Sequence, residues 1–76
     1  MSQEFYLKWL EEIMQKYDLE GSFLHHTYRE GMKRGDLSAC YVDDHVKNAN
    51  RLRFELDSLI EAYLTDNPKA KKPAYS

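Results

Sequence analysis

Residues 38–64 read SACYVDDHVKNANRLRFELDSLIEAYL. Val42, Val46, Ala49, Leu56, Ile60 and Tyr63 recur at heptad-like spacing, and Leu52 and Leu59 flank the seam they form. Neither proline nor glycine interrupts the chain from Leu37 to Asn67. This pattern predicts one amphipathic helix of about 28 residues, roughly 40 Å long at 1.5 Å per residue. Its weak point is Lys47-Asn48-Ala49-Asn50, where two asparagines lower helix propensity and a break would give four helices instead of three. The unbroken helix is the expectation carried forward.

Two shorter helices are predicted before it. The first runs from Gln3 to Asp18, with Ser2 as N-cap, Glu4 in the first turn and Gly21 as terminator. Phe5, Tyr6, Trp9, Leu10, Ile13 and Tyr17 make its apolar face, and Trp9 is expected to anchor it in the core. The second runs from Phe23 to Arg34, with Ser22 as N-cap and a buried stripe of Leu24, Tyr28 and Met32. Gly31 lies on that stripe and either suits a close approach by a neighbour or marks a weak or short helix, while Gly35 closes the segment. End to end, the two short helices match the long one and are expected to lie along it.

The chain therefore reads as an all-α, small three-helix bundle: two short N-terminal helices, one long C-terminal helix and a helical domain spanning 1–66. After Asp66-Asn67-Pro68 the composition turns basic and proline-punctuated, so 67–76 is expected to be a flexible basic tail. A domain of 76 residues buries only about 60% of its unfolded surface, which leaves it marginal without added support. One cysteine, Cys40, rules out an internal disulfide and fits a reducing compartment. The remaining support is oligomerisation, with a dimer through Val42, Val46, Ala49, Leu52, Leu56, Leu59, Ile60 and Tyr63 as the expected interface.

Eleven basic and thirteen acidic side chains give a formal net charge of −2, which argues against a dedicated nucleic-acid coat. Helix-turn-helix DNA binding is disfavoured as well. The helix after the glycine turn opens Ser38-Ala39-Cys40-Tyr41-Val42-Asp43-Asp44, and its acids would repel phosphates. The sequence shows no secretory leader and no long apolar run, so a soluble cytoplasmic protein without membrane association is expected.

Chemistry-bearing patterns are sparse. His25 and His26 are adjacent instead of three or four apart, so they read as solvated or helix-capping side chains. Asp43, Asp44 and His45 would complete a metal site only if the helices faced one another suitably. No metal, cofactor or catalytic group is assigned. Cys40 reads as a small buried hydrophobe, because no base stands at a spacing that would activate it. His25, Arg29 and Lys33 fall four apart along one side of the second helix. With Arg51 and Arg53 of the third, Arg29 and Lys33 form the candidate anion-binding set. The competing account pairs these cations with Glu30, Glu55 and Asp57.

Six tyrosines in a chain this small suit partly wet interfaces. The leading expectation is a non-enzymatic interaction protein, acting as regulator, inhibitor or adaptor on a protein partner through amphipathic helices. The alternative is an oligomeric binder of a small anionic or nucleotide-like ligand.

Overall fold

A computed structural model describes residues 3–42 and 46–73. It is compact and all-helical, with α1 over Gln3–Lys16, α2 over Phe23–Arg34 and α3 over Ala49–Asp66. No strand occurs among the described residues; a single isolated bridge joins Asp36 to Lys71.

The expected 28-residue third helix is shortened to 18 residues. The break falls at the asparagine-rich weak point. Asn48 takes a left-handed conformation (φ 62°, ψ 32°), which asparagine tolerates better than most residues and which no continuous helix can contain. Upstream, Asp36 accepts from both the backbone N–H (3.0 Å) and the hydroxyl (2.6 Å) of Ser38. That turn diverts the chain out of α2 without starting a helix. Leu37, Cys40 and Val42 are buried all the same, from an irregular segment. The apolar residues upstream of Ala49 thus follow a helical spacing without forming a helix. Asp43, Asp44 and His45, counted above in the third helix and as possible metal ligands, lie outside the described residues.

α1 packs against both α2 and α3. It contributes Tyr6, Leu10, Ile13 and Met14 to the core, α2 contributes Tyr28 and Met32, and α3 contributes Leu52, Leu56, Leu59, Ile60 and Tyr63. The segment 36–42 lies close against α2. A Cβ built on Gly31 would lie 2.8 Å from the Asp36 carbonyl oxygen, 3.1 Å from Leu37 and 3.3 Å from the Cys40 sulfur. Gly31 is therefore the residue that lets this loop approach the helix. On the α3 side, Arg53 donates to the Val42 carbonyl at 3.1 Å and ties the loop down.

This arrangement covers the α3 seam within one chain. Leu52, Leu56, Leu59, Ile60 and Tyr63 are buried, Val42 is buried in the loop, and Val46 and Ala49 are half-buried. Six of the eight residues expected at a dimer interface are thus buried within one chain, and the seam they form is shorter than its sequence pattern. Trp9 is corrected too. It sits half-buried at the edge of the core, edge-to-face with Phe5 at 6.1 Å, and Tyr6 takes the central place.

Polar ties fix the helices relative to one another. The Met32 carbonyl, an orphan at the end of α2, accepts from Gln3 (2.9 Å) and from Tyr63 (2.7 Å), and Gln3 also reaches the Lys33 carbonyl (3.0 Å). Tyr6 donates to Asp66 and Tyr17 to Glu55, pinning α1 to α3 near both ends. Of residues 67–76, expected as a flexible tail, 67–73 are described and are tied to the bundle; 74–76 lie outside the described residues. Lys71 N–H donates to the Gly35 carbonyl, Leu37 N–H donates to the Lys71 carbonyl, each at 3.0 Å, and Pro73 is buried. Backbone pairing does this work, and backbone pairing is invisible to a reading of apolar content.

Candidate functional site

The α1–α2 turn sets one wall of a mostly apolar hollow on the described surface. Asp18 closes α1 in a left-handed conformation (φ 57°), and Leu19 N–H reaches back to the Met14 carbonyl at 2.8 Å. Gly21, also left-handed (φ 80°), turns the chain into Ser22, the N-cap of α2. The Ser22 hydroxyl accepts from the backbone N–H of His25 at 3.2 Å. His25 replies with its side chain, since Nδ1 accepts from the backbone N–H of Gly21 at 3.0 Å. This is a reciprocal cap of the Ser-x-x-Glu kind, with an imidazole in place of the carboxylate and the reach extended by one residue.

Leu19, Ser22, Phe23, Leu24 and Thr27 form that wall, and Ala39, Tyr41 and Val46 of the connecting segment face it across a groove of about 280 Å³. The two aliphatic hydroxyls in the lining are engaged with α2 itself: Thr27 donates to the Phe23 carbonyl at 2.9 Å and Ser22 caps the helix. The groove consequently presents carbon more than hydrogen-bonding groups. Phe23 is 84% exposed and Tyr41 59% exposed, so two aromatic rings stand at its mouth instead of filling it. Phe54 is 73% exposed elsewhere on the surface, so exposure alone does not single out these two rings; the hollow they adjoin does.

The candidate anion set is not assembled. Arg29 lines a hollow between α1 and α2, Arg51 one at the start of α3, and Arg53 one between α3 and the C-terminal segment. Arg29 and Lys33 both lie against Glu30, at 3.8 and 3.9 Å. Arg53 is engaged with Val42. Glu55, which the competing account pairs with a basic residue of the set, lies 2.9 Å from Lys16 and accepts from Tyr17. Those two contacts, the tyrosine's first, hold its carboxyl below the usual glutamate range.

Cys40 is buried, its thiol directed at the Thr27 carbonyl at 3.7 Å, and burial pushes it up to about 11. A thiol so poised holds almost no thiolate at neutral pH and is a poor nucleophile. Among the described residues, no group of three or more His, Cys, Asp or Glu side chains is placed to hold a metal ion. No described helix is long and apolar enough to cross a membrane.

Of the groove residues, only Val46 belonged to the seam singled out from sequence. Leu19, Phe23, Ala39 and Tyr41 come from three segments, and no periodicity links them. One signal was available: Phe23 and Tyr41 are aromatics that fall outside every apolar stripe. No known protein family, characterised protein or solved structure matches the chain.

Proposed function

We propose that this chain is a non-enzymatic interaction module that binds a partner protein at the Phe23–Tyr41 groove. The observation that carries the reading is the pairing of two exposed aromatic rings with an apolar hollow of about 280 Å³. Aromatic anchors beside a hollow are the arrangement that concentrates binding energy at protein interfaces. The occupant suited to this groove is one or two apolar side chains of a partner helix or loop, because the lining offers them little competition from polar groups. The lone buried thiol suits the cytoplasm as the working compartment.

The test compares pull-downs with the wild-type chain and with Phe23→Ser and Tyr41→Ser. Both side chains are exposed, so the variants should keep the wild-type circular dichroism and melting temperature. A partner recovered by wild type should be lost, or weakened at least about thirty-fold, in each variant, since a hot-spot aromatic costs about 2 kcal/mol or more on truncation. A partner retained equally by all three chains overturns the reading.

A further inference from the structure

His25 is 6% exposed and is the only buried polar or charged residue outside the apolar core among the described residues. Its imidazole closes the turn that carries Leu19, Ser22 and Phe23 into the groove wall. The bond has a fixed polarity. Gly21 can offer only an N–H, so Nδ1 must present its lone pair, and the imidazole must be neutral with its proton on Nε2. A carboxylate in the same cap would keep its acceptor down to acid pH. An imidazole loses it when Nδ1 takes up a proton, and then two N–H groups point at one another.

We infer that His25 is a proton-operated latch on the α1–α2 turn, holding the groove wall when neutral and releasing it when protonated. Regulation of the groove in this way rests on the binding function proposed above; the latch itself does not. Ser22 makes the device local. Its hydroxyl still caps the His25 N–H and its carbonyl still accepts from His26 N–H at 3.0 Å, so proton uptake frees Gly21 without unwinding α2. Gly21, with nothing within 4 Å of its missing Cβ, has room to move when freed.

The groups around the imidazole are mixed in sign. Glu4, Lys8 and Glu11 of α1, Glu20 of the turn and Arg29 of α2 line the same hollow. His26, the neighbouring histidine, is exposed and its side chain lies with Nδ1 3.4 Å from the Arg29 guanidinium, directed away from the turn's backbone bonds. It serves as the internal control.

The experiment is amide and imidazole NMR of the full chain in a pH series from about 8 down to about 5. At pH 8 the His25 ring nitrogens should report a bare Nδ1 and a protonated Nε2. On acidification the Gly21 amide should lose protection by about two- to ten-fold after correction for its intrinsic exchange rate, the factor one hydrogen bond represents. The Leu19, Ser22 and Phe23 amides should shift with the same midpoint. In His25→Asn, whose side-chain oxygen can accept from Gly21 at any pH, that response should vanish, while His26→Asn should respond as wild type does. A proton on Nδ1 at pH 8, or a Gly21 amide indifferent to pH, overturns the latch, and both readings need only the wild-type chain. A Gly21 amide that titrates as expected, with partner binding unaffected by Phe23→Ser, would sink the groove reading and leave the latch standing.

Discussion

Trp9 and Leu10 are neighbours in sequence and differ in what they hold together. Leu10 is fully buried where α1 meets the other elements, whereas the larger ring of Trp9 rests at the rim beside Phe5. Size and apolarity alone would rank the tryptophan first. Position on the helix decides otherwise, because Tyr6, Leu10, Ile13 and Met14 define the buried arc and Trp9 falls at its edge. Tyr6 holds the centre because its hydroxyl finds acceptors, Asp66 and the Ala62 carbonyl at 3.4 Å. The hydrogen bond to Asp66 first, then burial and the charge of that carboxylate, push the phenol up to about 12. Leu10→Ala should therefore cost about 2–5 kcal/mol, as for a filled core site. Trp9→Ala should cost less than Leu10→Ala, and urea unfolding of the two variants followed by circular dichroism checks the order. Equal losses would place the Trp9 ring in the core after all.

At the scale of elements, the turn between α2 and the following segment depends on a missing side chain. Alanine at position 31 would gain about 1 kcal/mol of helix propensity. It would also drive a methyl group to 2.8 Å from the Asp36 backbone oxygen, which has no rotamer to yield with. Overpacking of this kind costs about 1–3 kcal/mol, so Gly31→Ala should destabilise on balance, with a lower urea midpoint and an unchanged slope. A raised midpoint would mean the loop sits further from α2. In the sequence this glycine allowed two readings, a close approach or a weak helix, and the structure shows the first; α2 itself was marked closely, because Ser22 and Gly35 act locally as caps. It misplaced the start of α3. Val42, Val46 and Ala49 share the spacing of a helix, yet the left-handed Asn48 and the Asp36–Ser38 turn decide that stretch. Both are choices of single dihedral angles that periodicity does not register. The groove was less legible still, since its walls meet only after the loop has folded back on Gly31.

Across the whole molecule, α1 is held to α3 by a tyrosine–carboxylate bond near each end, Tyr6 with Asp66 and Tyr17 with Glu55. Lys16 joins the second at 2.9 Å. These contacts span the interface that the shortened α3 presents, and they make the bundle's stability depend on pH in a defined direction. The folded chain holds the Glu55 carboxyl below its ordinary range, through Tyr17 first and Lys16 second. The unfolded chain consequently binds a proton at Glu55 more readily than the folded one. The stabilisation is complete above the ordinary glutamate value of about 4.3 and drains away as pH falls through the lower folded value. Glu55→Gln keeps an acceptor for Tyr17 and removes the charge that titrates. Its melting temperature should lie below that of wild type at pH 7, and the gap should close as the pH is lowered towards 3. His25 is present in both chains, so its contribution cancels in this difference. A gap that stays constant from pH 7 to pH 3 would show that the folded state does not favour the charged carboxylate, and that Tyr17 and Lys16 do not clamp α1 to α3 through it.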